Sequence, residues 1–277
     1  MLTSLSSAVS GLDSFQQQMD VIGNNIANIN TTGFKAGVVQ SADSFSNTLA
    51  AATANSEQIG TGVYNEAISS NWAEGANTST GVASNLAISG NGFFVVQDPT
   101  SKTQYLTQDG AFTTDSNGYL VTAGGQQVVG FNNSGLSTVG AIQINATVAQ
   151  AAGAAAGTTM SSYAIAGNGD VNVTMSDGTT WTVGQVTLQN VQDPSALVSQ
   201  SGNLYSNVAG AGPLAAAVQP GSSGTGTIQS GALEASNVDL SQEMANLIIA
   251  QRGFEANSKI VTTSDELLQT VVNMKQG

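Results

Sequence analysis

Four aspartates, two tryptophans and three glycine-rich turns are the places where this chain could do chemistry, and each has a plainer use. Asp98, Asp109, Asp115 and Asp177 all stand beside Gly, Pro or Ser. Carboxylates in such company bond the backbone of their own turns, and none has a partner carboxylate in a cleft-forming context for acid–base work. Gly167-Asn168-Gly169-Asp170 faintly resembles a calcium-binding β-roll repeat, but it occurs once where an array is required. Gly90-Asn91-Gly92 and Gly60-Thr61-Gly62 lack the helix-opening context of a phosphate loop and read as turns. Trp72 and Trp181 could stack on a sugar, but anchoring a core or an interface is the expected use. The sequence holds no His and no Cys. That removes a His-based triad, a thiolate nucleophile, a disulfide framework and any Cys or His metal site. No enzyme, cofactor or metal is expected.

The polar residues that do stand out are amides. Asn24, Asn25, Asn28 and Asn30 crowd the end of the first apolar-periodic segment. A buried amide must be paired, and a paired one fixes register; otherwise these residues are a solvated, fraying helix end. The elements that position them are the two ends of the chain. Leu5, Ala8, Leu12, Phe15, Met19, Ile22, Ile26 and Ile29 follow one another in steps of three and four. So do Leu240, Met244, Leu247, Gln251, Phe254, Ser258, Val261, Asp265, Leu268 and Val272. Such alternation puts one stripe on one helix face, as in a coiled-coil seam.

The first helix is expected from about Leu2 to about Asn30, ending at Asn30-Thr31-Thr32-Gly33. Residues 1–34 and 236–277 are thus helical assembly segments, the second opening at Asp239 with Gln242 three residues on, a capping-box-like start. Residues 35–80 read as a mixed linker, with Ser44–Ala54 a helix candidate. Residues 81–206 read as a β domain of short strands around Asn-Gly and Asp-Gly turns. There Asn85–Ser89 and Phe93–Gln97 should form a hairpin across Gly90-Asn91-Gly92, and the Ala/Gly tract near 147–159 a linker. Residues 207–235 read as a loose connector. The expected fold class is α+β: long N- and C-terminal helices forming a coiled-coil-like α domain, with a central, mainly antiparallel β domain.

Composition points the same way. Hydrophobic residues make up 40% of the 277 but charged residues only 8%. Soluble surfaces normally carry far more charge, and a weakly charged surface suits a subunit that packs against its copies. The net charge is −13, with five basic residues, which argues against nucleic acid as a partner because a phosphate backbone must be met by Lys and Arg. No apolar run reaches the roughly 18 residues of a membrane span, so no membrane insertion is expected. The first ten residues carry neither Lys nor Arg, so a cleaved secretory signal is not expected either. Each helix must cover a long stripe, and one helix pair closed on itself as a stalk leaves flanks open. The ends are therefore expected to order fully only in an assembly.

Three separated motifs resemble one family. Asp20-Val-Ile-Gly-Asn-Asn-Ile-Ala-Asn-Ile-Asn-Thr-Thr-Gly-Phe34-Lys35 is similar to the N-terminal signature of bacterial flagellar rod and hook proteins. Ser230–Leu240 and Ile249–Ile260 resemble its C-terminal signature. Asn85-Leu-Ala-Ile-Ser-Gly-Asn-Gly-Phe-Phe94-Val and Gln108-Asp-Gly-Ala-Phe112 resemble its β-domain. Gln127–Phe131 and the N-terminal segment look most like the hook protein in a short form; the compact second half, Asp170 to Asn207, is organised more like the distal rod protein.

The resemblance implies a structural subunit that self-assembles through its terminal helices into a hollow helical tube, a torque-transmitting joint if hook. It implies homo-oligomerisation and adjacent axial partners: rod, hook cap and hook–filament junction. It also implies passage through the flagellar type III export apparatus to the hook and basal body. The interface expected on the first helix is Leu5, Leu12, Phe15, Met19, Ile22, Asn25, Ile26, Asn28 and Ile29. On the last helix it is Leu240, Met244, Leu247, Gln251, Arg252, Phe254, Asn257, Val261, Leu268 and Val272. Export-motif candidates are Phe45 with Leu49, and Ala27, Asn28 and Thr31. A rival of another class is a secreted β-rich adhesin or carbohydrate-binding module using Trp72 or Trp181.

Overall fold

The computed structural model describes residues 2–44, 46–48, 58–132, 135, 138–206, 208–213 and 218–276. Its helices are α1 (Leu2–Ala27), α2 (Ala146–Ala151) and α3 (Leu240–Gln276). The remaining elements are short strands and one 3₁₀ turn, so the class is α+β. The chain divides into two units, one of Met1–Ile29, Lys35–Asn71 and Val238–Gly277, the other of Asn30–Phe34 and Trp72–Asn237.

In the first unit α1 packs on α3 and also on an antiparallel ribbon made by Gly37–Asp43 and Val63–Ser70. α1 has no Pro, and its hydroxyls fold back on the helix: Ser6 donates to the Thr3 carbonyl and Ser10 to that of Ser7, both at 2.9 Å. It stops at Ala27, where Asn28 turns its side-chain amide onto the Asn24 carbonyl at 2.9 Å. The same carbonyl also accepts from Asn28 N at 3.2 Å, so both donors of Asn28 close the last turn. α3 opens as expected at Asp239, whose Oδ1 accepts from Ser241 N at 2.8 Å and Gln242 N at 3.3 Å. Only half a capping box forms, because the Gln242 amide reaches forward to Asn246 instead. Within Ser44–Ala54, where a helix is expected, the described residues Ser46–Thr48 form a strand paired with Gln58–Gly60. The segment 49–57 lies outside the described residues.

The second unit is β. Its largest sheet has the path 160–165, 170–175, 180–186, 127–131, 93–97, 104–107, 204–206, 198–200, with antiparallel neighbours throughout. Alternate side chains of a strand point to opposite faces. Phe94 and Val96 therefore enter a core with Leu86, Ile88, Phe112 and Leu120, while Phe93 and Val95 enter a second core with Leu106, Val129 and Tyr205. A strand buried on both faces must read as an unbroken apolar run, and Phe-Phe-Val-Val is one. The exposed-face strand Asp170–Met175 alternates instead, burying Val171, Val173 and Met175.

Three expectations fail here. Leu86–Ser89 does not form a hairpin with Phe93–Gln97; it pairs with Thr227–Ser230, and the Asn91 carbonyl accepts from Gly226 N at 2.7 Å. The 147–159 tract is not a linker: Asn145 caps α2 by accepting from Val148 N, and Ala149 and Ala154 are buried in the core. The described residues of the 207–235 stretch are tied to the rest of the β unit. Pro213 and Val218 bridge to Val191 and Leu188, and Ala232–Glu234 pairs with Asn77–Ser79. In each case small residues fit where a long-range partner comes close, which composition alone reads as flexibility.

Candidate assembly interface

α1 and α3 meet antiparallel at small residues. A Cβ on Gly253 would run into the Phe15 ring, and one on Gly11 would strike the Asn257 amide. The absence of those carbons lets the two backbones approach. On α1, Ile22 is buried and Leu5, Leu12, Phe15, Met19, Ile26 and Ile29 are half-buried. On α3 the innermost residue is Ala250. Leu247, Phe254, Asn257, Val261 and Leu268 flank that line half-buried, whereas Leu240, Met244, Gln251, Arg252 and Val272 are exposed. The face toward α1 is thus turned from the stripe of bulky residues toward Ala250 and Gly253. Periodicity weighted by size finds the large apolar residues; close packing is made by the small ones beside them.

Half of the expected stripe on α3 stays exposed within the chain, at Leu240, Met244, Gln251, Asp265 and Val272. Ile248, Ile249, Ile260, Leu267, Val271 and Met274 are exposed in addition to Leu240, Met244 and Val272. Ile249, Ile260, Leu267, Val271 and Met274 recur at spacings that keep them on one side of the helix, and an exposed apolar strip marks an interaction site. Arg252 holds an exposed pair with Glu255 at 2.8 Å, a contact that contributes little to stability in water.

Asn25 has a different role from the intersubunit contact expected of it. It is 2% exposed, and its amide donates to the Gly37 carbonyl at 2.9 Å while its Oδ1 accepts from Gly37 N at 2.8 Å. The side chain imitates a strand neighbour and ties α1 to the ribbon. A second clasp lies two turns earlier. Ser14 and Ser41 both donate to Asn65 Oδ1 at 2.8 Å, and the Asn65 amide donates to Gln17 at 2.8 Å. Asn65 carries no motif in the sequence and could not have been singled out there.

The segment after α1 belongs to the β unit, and the family-like motifs converge on it. Thr32 Oγ1 donates to Asp109 Oδ1 at 2.8 Å, Gly33 N to the Glu234 carbonyl at 2.9 Å, and the Asn203 amide to the Thr32 carbonyl at 2.8 Å. Gly33 takes φ +64°, and a Cβ there would meet Asp109 N at 2.7 Å; only glycine meets both demands. The Gly110 carbonyl accepts from Leu86 N at 3.0 Å. The Asn30–Phe34, Leu86, Gln108–Phe112 and Ser230–Asn237 motifs are therefore parts of one junction. Of the export candidates, Ala27 is exposed and Asn28 and Thr31 are half-buried; Phe45 and Leu49 lie outside the described residues.

The other candidate chemistry resolves into structure. Asp98 accepts from Thr100 N and Ser101 N, and Asp177 from Thr179; these bonds hold both carboxyls below the usual range. Asp115 likewise accepts from Asn117 N and Tyr119 N. Asp170 is engaged by Asn168 and Gln185, and among the described residues no group of His, Cys, Asp and Glu could hold a metal. Trp72 is set edge-on to Phe93 and Tyr205, with centroids 5.4 and 5.0 Å away. Trp181 packs half-buried against the main core. Burial, and secondarily Glu234, push the Tyr205 hydroxyl up to about 12.

Comparison with known proteins accounts for the junction. Residues 5–35 match the family model "Flagella basal body rod protein", residues 87–173 "Flagellar hook protein FlgE/F/G D1 domain", and residues 229–274 "Flagellar basal body rod FlgEFG protein C-terminal". A flagellar basal-body rod protein FlgG of Bacillus subtilis is 40% identical over all of both chains. The chain belongs to the flagellar rod and hook protein family. The FlgG of Borreliella burgdorferi is 32% identical, again over the whole of both chains. A hook protein FlgE of the same organism is 24% identical over a 444-residue alignment covering 99% of this chain. The solved hook protein FlgE2 of Helicobacter pylori overlaps 65% of this chain and 47% of its own, at 14% identity and a TM-score of 0.23, too slight a likeness to bear on the fold. Membership of a rod and hook family means a structural axial protein of the basal body and hook, which leaves the adhesin reading without support. No described helix is long and apolar enough to cross a membrane.

Proposed function

We propose that this protein is a distal rod subunit of the flagellar basal body that self-assembles through α1 and α3 into a hollow helical tube. The observation that carries rod over hook is length. The Bacillus FlgG alignment needs 284 positions for 277 residues, whereas the hook alignment stretches to 444, so the chain has no room for the additional sequence of that hook relative. The hook reading drawn from the Gln127–Phe131 segment rests on resemblance within a motif both branches share. The uncovered face of α3 supports assembly through the ends, with the Leu240, Met244 and Val272 positions supplying coiled-coil contacts between copies. Neighbouring axial proteins would continue the tube at either end, and export would proceed through the flagellar type III apparatus using the segment after α1. Two experiments test this. Electron microscopy of concentrated full-length protein should show tubes, and none after removal of residues 1–34 or 236–277; a truncated core that still polymerises refutes assembly through the helices. Deletion of the gene should leave basal bodies lacking the distal rod; loss of the hook with an intact rod would return the protein to the hook branch.

A further inference from the structure

The pairing of α1 with α3 runs at a constant offset: Gly11 faces Asn257 and Phe15 faces Gly253. Continuing that register places Leu2, the first described residue of α1, opposite Glu266. α3 goes on to Gln276. Its last ten residues, about 15 Å of helix, therefore run past the described start of α1. This overhang is apolar: Leu267, Val271 and Met274 share one helical face with Ile260 and are 56%, 46% and 70% exposed. Its single formal charge is the cation of Lys275.

At the opposite end of the same helical unit lies a groove of about 220 Å³ between α1, the ribbon and α3. Val21, Ile22, Val38, Val39 and Ile249 form its apolar wall, Gln18, Asn25 and Asn246 its polar side, and Glu243 is its one charged residue. The apolar strip of the overhang complements the apolar wall of the groove, Lys275 and Glu243 carry opposite charges, and the two surfaces lie at opposite ends of α1, so neither serves the other within one chain.

We propose that the overhang Leu267–Met274 of one copy docks in the Val21–Val39–Ile249 groove of the next copy. An apolar helix face laid into an apolar groove is a recurrent recognition mode. A patch that binds a different patch on its copy is a heterologous contact, which does not close on a pair and propagates into a filament. The helical unit thereby sets the direction of growth, head to tail. The proposal rests on the self-assembly reading and adds to it which surfaces meet.

The natural absence of Cys makes a clean test possible in the full-length chain. Ile249→Cys and Val271→Cys place single thiols on exposed positions of groove and overhang, to be linked by a bis-maleimide at protein concentrations that support assembly. A mixture of the two single variants should give covalent heterodimers several-fold above either variant alone and stop there, while the double variant should give a ladder of oligomers. Homodimers of each single variant at the heterodimer level, or a double variant without a ladder while tubes still form, would overturn the head-to-tail contact and leave self-assembly standing. Wild-type protein that stays monomeric in sedimentation at every concentration would remove the assembly reading, and this contact with it.

Discussion

Single residues in this protein act chiefly by satisfying backbone. Asn25 answers both polar groups of Gly37, so Asn25→Ala strands a buried donor and acceptor, at a cost of about 1–3 kcal/mol. Urea unfolding of the full chain should show that loss, with Asn24→Ala on the exposed face close to neutral. Tyr205 offers a second residue-scale test. Its hydroxyl, held neutral by burial and by Glu234, ionises near pH 12 in the folded chain rather than near 10. The folded state thus keeps its proton where the unfolded state has lost it, so this contribution is complete below pH 10 and disappears as pH rises toward 12. Unfolding midpoints at pH 9 and pH 11.5 should fall further apart in the wild type than in Tyr205→Phe. Equal falls would mean that the Trp72–Phe93–Tyr205 cluster opens to water.

Elements are where small residues matter more than large ones. Gly253 receives the Phe15 ring, so Gly253→Leu overpacks the helix pair, at about 1–3 kcal/mol. The effect should appear as lost amide protection along α1 while the strands around Phe94 and Val96 keep theirs. The segment Asn30–Phe34 is a different kind of element, a strap held by Asp109, Glu234 and Asn203. Asp109→Ala removes the acceptor for Thr32 and for Ala111 N and should speed exchange at Gly33 without altering the helices. Unchanged exchange there would show that the Glu234 carbonyl suffices. Assembly itself should raise protection most along α3 beyond Glu266, where no part of α1 lies opposite.

The whole molecule carries −13 on a surface otherwise poor in charge. Copies of like sign repel, and salt screens that repulsion within a Debye length of about 8–10 Å near physiological ionic strength. The concentration at which tubes first form should therefore fall as salt is raised from 20 to about 300 mM, as read by light scattering. A rise would mean that opposite charges, not apolar faces, dominate the contacts. Both signatures of the family lie near the chain ends in sequence, yet Thr32, Gly33, Asp109 and Glu234 close one junction in the β unit. Motifs far apart in sequence are thus held to one another's backbone atoms.

The sequence by itself determined the two long terminal helices, the β character of the middle and the family. Apolar steps of three and four fix helices because only one helix face can be buried, and unbroken or alternating apolar runs fix strands because side chains alternate across a sheet. The motifs fixed the family because they were read in order along most of the chain. Which face of α3 turns to α1 was not legible, since close approach is made by Ala250 and Gly253 and not by the bulky stripe. Nor was the partner of Leu86–Ser89, because a local turn signal cannot outweigh pairing with Thr227–Ser230, 138 or more residues away in sequence terms. The inward turn of Asn25 depended on where Gly37 comes to lie. Each of these was decided by contacts between residues distant in sequence, whose energies exist only once the chain has closed.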